Sequence, residues 1–354
     1  MAENLRRGLY TNFSDTTHRD VAAVVSTGVH NPFLGVPMAG SPLLVSVIVP
    51  IYNAERWLPD SFHSWASQTY ANIEWVLVDD GSSDKSAELC QAWCAEDTTC
   101  RHLFRKKNGG ASSARNYGLK QAVGQYVAFW DADDTQDPEM VEAMVASITS
   151  ENADVVICAL RRLEVNGREH HLYGCIPHSS SSESALEEWL GGKCSTGPYS
   201  KLIARRLLVE NGIEFEEGVI NEDVLWTAEV IGASSSIYFL GVPLYTYTAR
   251  PGSITVSFGP QVLDVLSNCK KLTSYVNDVF PCCNRVCKAY CAQECWGIAL
   301  ASARGNNRRR YPAIYSTFRQ ELKRQKNVLP PAIGLKEQLL RILYWTGLYQ
   351  IIKK

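Results

Sequence analysis

The sequence of 354 residues lacks the features typical of secreted, membrane-spanning and nucleic-acid-binding chains. Its first twenty residues contain no apolar stretch of the kind a signal peptide needs, and nowhere do about eighteen uncharged apolar residues follow one another. The formal net charge is −2, so no basic field predicts a nucleic-acid partner. No G-x-G-x-x-G follows a predicted strand, which argues against a dinucleotide oxidoreductase. We expect a soluble cytoplasmic protein that does not bind nucleic acid.

Cysteine is also too sparse for a disulfide framework, because twelve of 354 residues are cysteines and no signal peptide precedes them. Six scattered ones are predicted to be small core residues: Cys90, Cys94, Cys100, Cys158, Cys175 and Cys194. Four others, Cys283, Cys287, Cys291 and Cys295, recur every fourth residue. That spacing fits a zinc site or one buried helix face. On a straight helix it spans roughly 18 Å, too far for one ion, so we favour the buried face.

The apolar residues alternate between two kinds of pattern. Short continuous runs, typical of strands covered on both faces, occupy residues 45–50, 73–80, 125–130 and 153–160. Helical patterns lie between them, as in 54–69 and 84–96. Strand–helix–strand alternation predicts an α/β fold whose sheet is mostly parallel, with helices flanking it. Residues 1–44 show no such period and predict a poorly ordered extension, whereas the chain after 255 predicts helices.

Polar clusters follow three of the predicted strands. They are PIYN at 50–53, DDGSSD at 79–84 and DADD at 131–134. Ligands of α/β sheets bind beyond the carboxyl ends of the strands, so these clusters mark a candidate site, although DDGSSD alone could equally be a turn and a helix cap. Three aspartates within four positions repel one another unless a cation lies among them. Asp131 and Asp133 offer hard oxygen ligands suited to Mg²⁺ or Mn²⁺.

Four segments in a fixed order resemble glycosyltransferase family 2 with the GT-A fold: VSVIVPIYNAERWL, QTYANIEWVLVDDGSSDKS, NGGASSARNYGL and GQYVAFWDADDTQDP. The resemblance is specific over 45–140 and weaker to 255. It implies a GT-A domain at 45–255 and a helical C-terminal region at 256–354. It also implies an inverting, metal-dependent transfer of a sugar from a nucleoside-diphosphate sugar, with UDP favoured, to a hydroxyl of a glycan or lipid-linked acceptor. The QxxRW signature of processive relatives is absent.

The resemblance carries roles onto particular residues of the donor side. Asp133 corresponds to a direct ligand of the metal ion, and Asp131 faces the ribose or assists at the ion. Asp134 has no corresponding role, and we expect it to be a solvated turn residue. Asp80 corresponds to the carboxylate that hydrogen-bonds the nucleotide base. The wall flanking that base is formed by Pro50, Tyr52 and Asn53.

Other predicted site residues have two interpretations each. Arg115 follows a glycine-rich loop, and we expect it to pair with anionic groups of the donor or to form a structural pair with an Asp. Asp223, with Glu222 as the second choice, is by resemblance the general base, although acids also suit an exposed first helical turn. Three residues are expected to contact diphosphate or acceptor, or to serve the scaffold: Lys201, Arg250 and Ser253.

Two other functions compete with glycosyl transfer. One is a nucleotidyltransferase, which would need a Gly- and Arg-rich loop after the first strand, and PIYNAERW differs from that. The other is a non-catalytic sugar-nucleotide-binding protein.

The tail at 339–354 is almost entirely apolar, and about 16 residues are too few to span a bilayer. It either packs onto the protein or lies at a membrane interface, which would make the protein peripheral at the inner face of the membrane.

Overall fold

The computed structural model describes residues 43–250, 258–304 and 306–325, together with positions 341 and 344. These residues divide into two units. The first comprises 43–218 and 222–249, and the second comprises 219–221 with the described residues from 250 onwards. Most of the predicted N-terminal extension lies outside the described residues, as does most of the tail.

A single mixed sheet organises the first unit. Its strands are β1 (Val45–Ile51), β2 (Ile73–Asp79), β3 (Arg101–Arg105), β4 (Tyr126–Phe129), β5 (Thr135–Gln136), β6 (Val155–Leu163), β7 (Glu169–Leu172), β8 (His178–Ser180), β9 (Lys201–Ala204) and β10 (Ile237–Thr248). The order across the sheet is β3-β2-β1-β4-β9-β6-β10-β5, with β7 beside β6 and β8 beside β10. Neighbours among β3, β2, β1 and β4 are parallel, as are β6 and β10.

Helices cover both faces of this sheet. In the first unit they are α1 (Leu58–Ala66), α2 (Ser86–Ala95), α3 (Ala111–Gln121), α4 (Met140–Ser150), α5 (Ser182–Leu190), α6 (Arg205–Glu210) and α7 (Asp223–Ala233). The α/β prediction with a mostly parallel central sheet is confirmed, and all four predicted strands are present. The sequence did not indicate that β9 pairs antiparallel with both β4 and β6.

Apolar burial explains why β1 and β2 are interior strands, each paired on both of its edges. Every residue of β2 is buried, and β1 is buried except for Pro50. Helix α3 packs closely on this layer because Gly118 has no side chain: a Cβ there would lie 2.4 Å from Cγ2 of Ile48. Helix α3 therefore lies directly against the strands whose carboxyl ends carry the polar clusters.

The second unit is helical where it is described, with α8 (Asp264–Val279), α9 (Asn284–Ala303), α10 (Asn307–Arg310) and α11 (Pro312–Arg324). The cysteine stripe forms a buried face: Cys283, Cys287, Cys291 and Cys295 are at most 3% exposed. Within the described ranges, no group of three or more Cys, His, Asp or Glu side chains has an arrangement that could hold a metal ion. The burial of all four side chains agrees with the buried-face interpretation. Of the six scattered cysteines, only Cys100 and Cys175 are partly exposed.

Two residues of the predicted tail are described, and both contact the second unit. Tyr344 is 1% exposed and its ring meets that of Trp296 edge-on at 5.1 Å. The guanidinium of Arg341 lies 5.8 Å from the centroid of the same indole. These contacts agree with the packing alternative for this part of the tail. In the part of the chain that the structure describes, no helix is long and apolar enough to cross a membrane.

Candidate functional site

The polar clusters meet at the carboxyl ends of β1, β2 and β4. Ile51 and Asp79 are register partners at the ends of β1 and β2, and the Asp80 N–H donates to the Ile51 carbonyl at 2.8 Å. Strand β4 runs parallel to β1 and ends at Phe129, just before Asp131. Because parallel strands present their carboxyl ends at one edge, these segments lie side by side, as the sequence predicts.

Asp131 is anchored by its backbone and by its side chain. Its N–H donates to the Tyr245 hydroxyl at 3.2 Å, and its Oδ1 accepts from Nη2 of Arg115 at 2.8 Å. Asp133, two residues further on, is half-buried. These residues form the D-x-D turn (131–133). It holds one carboxylate paired with a buried cation and a second carboxylate whose role as a metal ligand stays a prediction.

Asp134 was expected to be a solvated turn residue, and that expectation is wrong. It is 1% exposed, its Oδ2 accepts from the Tyr245 hydroxyl at 2.9 Å, and its Oδ1 accepts from the Thr248 N–H at 2.9 Å. Burial, with the charges of Asp133 and Asp131 added to it, raises the pKa of Asp134 well above its ordinary value. Asp134 and Tyr245 together fasten the D-x-D turn to β10.

Arg115 joins this turn to a segment more than a hundred residues away. Its Nη2 bonds Asp131, and its Nη1 donates to Oε1 of Glu222 at 2.8 Å. The Arg115 side chain is 7% exposed, against 25% for Asp131 and 20% for Glu222. Burial opposes the charged form, but the two carboxylates outweigh it and raise the pKa of Arg115. One carboxylate of the D-x-D turn and one of the Glu222–Asp223 pair are thereby bonded to the same cation.

Asp223 directly follows Glu222 and is the first residue of α7. An acid at this position is favoured by the helix dipole. Its charge also acts on Lys201, where it favours the protonated ammonium. Asp223 is half-buried, so its carboxylate is not sealed in the core. Its assignment as the general base stays a prediction.

Asp80 is buried and organises the glycine-rich loop. Its Oδ1 accepts from Nζ of Lys106 at 2.7 Å, and its Oδ2 accepts from the Gly110 N–H at 2.7 Å. The Gly109 N–H lies 3.0 and 3.1 Å from the two oxygens. Gly110 has φ +88°, a conformation that side chains disfavour. The glycines therefore let backbone donors approach a carboxylate of the protein, and a base contact by Asp80 stays a prediction.

The three residues predicted to flank the base lie at the end of β1. Tyr52 is 54% exposed, so its ring is available to a ligand. Asn53 has φ +49°, and its Oδ1 accepts from the Ser83 N–H at 2.9 Å, which fixes it to the DDGSSD turn. Pro50 lies within β1 opposite Val78. These placements are compatible with a wall beside a nucleotide base.

The structure places Lys201 in the core. Its Nζ donates to the carbonyls of Ser195 (2.9 Å), Thr196 (3.3 Å) and Gly197 (2.6 Å), which occupies all three ammonium hydrogens. Burial lowers the pKa of Lys201 to about 8. A diphosphate contact would require it to give up one of these bonds. Arg250 belongs to the second unit, and Ser253 lies outside the described residues.

Sequence reasoning missed several residues that hold the site together. Lys106, Asp134, Phe215 and Tyr245 act through tertiary contacts, and only two of them left a signal in the sequence. Lys106 is a cation placed just before the glycine-rich loop, and Asp134 is the third acid of DADD. Nothing near Phe215 or Tyr245 in the sequence indicates a contact with a site residue, because their partners lie about a hundred residues away.

The fold belongs to the GT-A glycosyltransferases. A crystal structure of S. aureus TarS (residues 1–349) in complex with UDP-GlcNAc superposes with a TM-score of 0.55 at 21% identity, covering 79% of this chain and 92% of that one. A longer TarS structure gives a TM-score of 0.64 at 20% identity, over 87% of this chain and 53% of the other. At such identities the likeness concerns the fold.

The sequence comparisons define the family. The family model for glycosyl transferase family 2 matches residues 46–210. The glycosyltransferase GlyG of Streptococcus pneumoniae is 31% identical over 247 residues, which is 66% of this chain and 81% of GlyG. The chain therefore belongs to glycosyltransferase family 2, and the family resemblance seen in the sequence is confirmed.

Proposed function

We propose that this glycosyltransferase moves a sugar from a nucleoside-diphosphate sugar, with UDP favoured, to a hydroxyl of a glycan or lipid-linked acceptor with inversion. The observation that carries the proposal is the Asp131–Arg115–Glu222 bridge, because it brings the predicted donor side and the predicted acceptor side to one place. Asp223 is the first residue of α7 and directly follows Glu222, the residue that Arg115 links to the D-x-D turn.

The chemistry divides between these two sides. Asp80, Tyr52 and Asn53 would bind and orient the nucleotide at the ends of β1 and β2. Asp223 would accept the proton of the acceptor hydroxyl as that oxygen attacks the anomeric carbon from the face opposite the diphosphate. Glu222 is a weaker candidate for the base, since its Oε1 already accepts from Arg115.

A divalent ion fits the donor side by the chemistry of its ligands. Asp131, Asp133 and Asp134 lie within four positions, so negative charge is concentrated at this turn. Mg²⁺ commonly takes one or two carboxylates and completes its shell with substrate phosphates and water, so no cluster of three protein ligands is required. Asp133 would hold the ion, with Asp131 assisting. When bound, Mg²⁺ or Mn²⁺ neutralises charge on the diphosphate.

The first experiment is a screen of nucleotide sugars for turnover. Relatives suggest where to begin: the TarS structure holds UDP-GlcNAc, and a relative from Borreliella burgdorferi that is 28% identical, over 60% of this chain and 62% of that protein, is a cholesterol galactosyltransferase. We expect one UDP-sugar, offered with Mn²⁺ and glycan or sterol acceptors, to release UDP and yield a glycosylated product. Binding of donors without any release over many hours would instead support the non-catalytic alternative, and pyrophosphate release would support a nucleotidyltransferase.

We also propose that the C-terminal region contacts anionic membranes. Residues 258–325 contain eleven lysines and arginines but four aspartates and glutamates, whereas residues 43–249 contain fifteen cations and twenty-nine acids. In α10, Arg309 and Arg310 are exposed, and the guanidinium of Arg308 lies 4.5 Å from the centroid of the Tyr315 ring. Juxtamembrane cations each contribute about 1 kcal/mol at an anionic surface.

Liposome flotation tests this contact. Replacing Arg308, Arg309 and Arg310 by Gln should weaken binding to phosphatidylserine-containing liposomes by roughly 10²-fold, the loss expected for three such cations. A matched control replaces the exposed Lys85, Lys107 and Lys120 of the first unit by Gln and should float like the wild type. A second variant lacking 339–354 measures the share of the tail. If the wild type does not float with anionic liposomes, the membrane proposal is wrong.

A further inference from the structure

We propose that Arg115 is a positioning residue that fixes the acceptor-side base relative to the donor-side D-x-D turn, and that it does not itself bind the donor. The inference rests on the proposed function, because it assigns a role within that site. Its basis is that one buried guanidinium donates to Asp131 at 2.8 Å and to Glu222 at 2.8 Å. Both of its terminal nitrogens are thus engaged by carboxylates of the protein itself.

The location of Arg115 is set from more than one side. It lies in α3, whose Gly118 packs against β1. The neighbouring Asn116 bonds the Phe215 backbone in both directions, with its Nδ2 donating to the carbonyl and its Oδ1 accepting from the N–H, each at 2.8 Å. The Phe215 ring in turn lies 5.3 Å from the Arg115 guanidinium carbon. A guanidinium held in this way can impose a position on the groups that it bonds.

The two carboxylates begin the segments that the reaction needs. Asp131 opens the D-x-D turn after β4, and Glu222 immediately precedes Asp223 at the start of α7. Asp131 and Glu222 are separated from Arg115 by 16 and 107 positions in the sequence. Since chemical steps are sensitive to displacements of about 1 Å, a link of this kind governs the rate of transfer rather than the affinity for the donor.

Charge gives the bridge a second effect. Asp131 and Glu222 carry two negative charges close to where an anionic diphosphate would bind, and the Arg115 cation offsets one of them. A guanidinium also donates two directed bonds in one plane, which an ammonium cannot reproduce. Lysine at this position would therefore keep the charge but lose the simultaneous bond to both carboxylates.

The test compares Arg115→Lys with the wild type in a steady-state transfer assay. We expect kcat to fall by roughly 10²-fold, the usual effect of a displacement of about 1 Å, while the KM for the nucleotide sugar changes by less than about threefold. Lys120→Ala is the matched control, because Lys120 lies on the same helix but forms an exposed ion pair with Glu214; both constants should stay at the wild-type values. A rise of tenfold or more in the donor KM with kcat retained would mean that Arg115 binds the donor, and would overturn the inference.

Glu222→Gln tests the same link from its other end, should Arg115→Lys fold poorly. The amide oxygen still accepts a hydrogen bond but carries no charge, so we expect kcat to fall by roughly tenfold with the donor KM unchanged. The double variant should be no slower than Arg115→Lys alone, because the two side chains act through one bridge. Independent, multiplying effects of the two changes would overturn the inference.

A double-mutant cycle can also be measured on the free energy of unfolding in urea, using the wild type, the two single variants and the double variant. This measurement needs no enzymatic activity, so it is separate from the test of the proposed function. Non-additive changes in stability between Arg115→Lys and Glu222→Gln show that the bridge exists in solution. Additive changes would disprove it, whatever the enzyme transfers. If the bridge is present but the wild type transfers no sugar, the proposed function fails and the bridge is purely structural.

Discussion

Asp223→Asn is expected to lower the rate of transfer by roughly 10²–10⁴-fold, the usual contribution of a general base. Asparagine has nearly the same shape as aspartate, so α7 should still begin at residue 223. The amide cannot accept the proton of the acceptor hydroxyl. Donor and metal affinity, measured by calorimetry with the UDP-sugar found in the screen, should stay within about twofold of the wild type, because no donor contact is assigned to Asp223.

The adjacent acid is the control for this assignment. Glu222→Gln should retain far more activity than Asp223→Asn, since the Glu222 carboxylate bonds Arg115 and is not required to take a proton. If Asp223→Asn turned over normally while Glu222→Gln had no activity, the base would be Glu222. Should both variants transfer at the wild-type rate, neither acid of the pair is the base.

Asp133→Asn should abolish most donor binding in the presence of Mg²⁺ or Mn²⁺ while leaving the fold intact. Asp133 is half-buried, and an amide is a far weaker ligand for a hard divalent ion than a carboxylate. We expect transfer to fall by at least the 10²-fold typical of a lost electrostatic contact to a developing charge. Calorimetry of donor binding with and without Mn²⁺, together with the melting temperature, measures both parts.

Excess EDTA provides an independent check of the same idea. The wild type should lose transfer in EDTA and regain it when Mg²⁺ or Mn²⁺ is restored. Glu88→Gln is the matched substitution, because Glu88 is an exposed acid in the first turn of α2, and it should behave like the wild type. Activity of the wild type that is unchanged in EDTA, or full activity of Asp133→Asn, would remove the ion from the mechanism.

Much of the first unit could be predicted from the sequence because its strands are continuous apolar runs. The runs VSVIVP and IEWVLVDD predict β1 and β2 directly. Because the two strands are parallel, the polar residues that follow them lie at one edge of the sheet. Strand β9 has four residues and β5 has two, so neither gives a usable period. Their antiparallel pairings depend on contacts that no local pattern encodes.

The candidate site shows the same division. The acids of DADD and of the Glu222–Asp223 pair mark the segments predicted to form the site, but the sequence does not indicate which of these acids are buried. Asp134 was predicted to be solvated, yet Tyr245 and Thr248 of β10 enclose it. The simultaneous pairing of Arg115 with Asp131 and Glu222 likewise depends on the placement of α7, which follows Arg115 by about a hundred residues. Burial and long-range pairing are properties of the assembled sheet.

The position of β9 has a consequence for how the chain folds. This strand lies between β4 and β6 in the sheet, although β5, β6, β7 and β8 all precede it in the sequence. Until residues 201–204 are available, the edges of β4 and β6 have no partner between them, and an emerging chain exposes two apolar strand edges at once. Pairing at such sequence distance is slow, because the entropy of closing the intervening loops must be overcome first. The strands on the two sides of β9 are therefore joined only after residues 201–204 have been synthesised, and a nascent chain that ends before them exposes strand edges that favour aggregation.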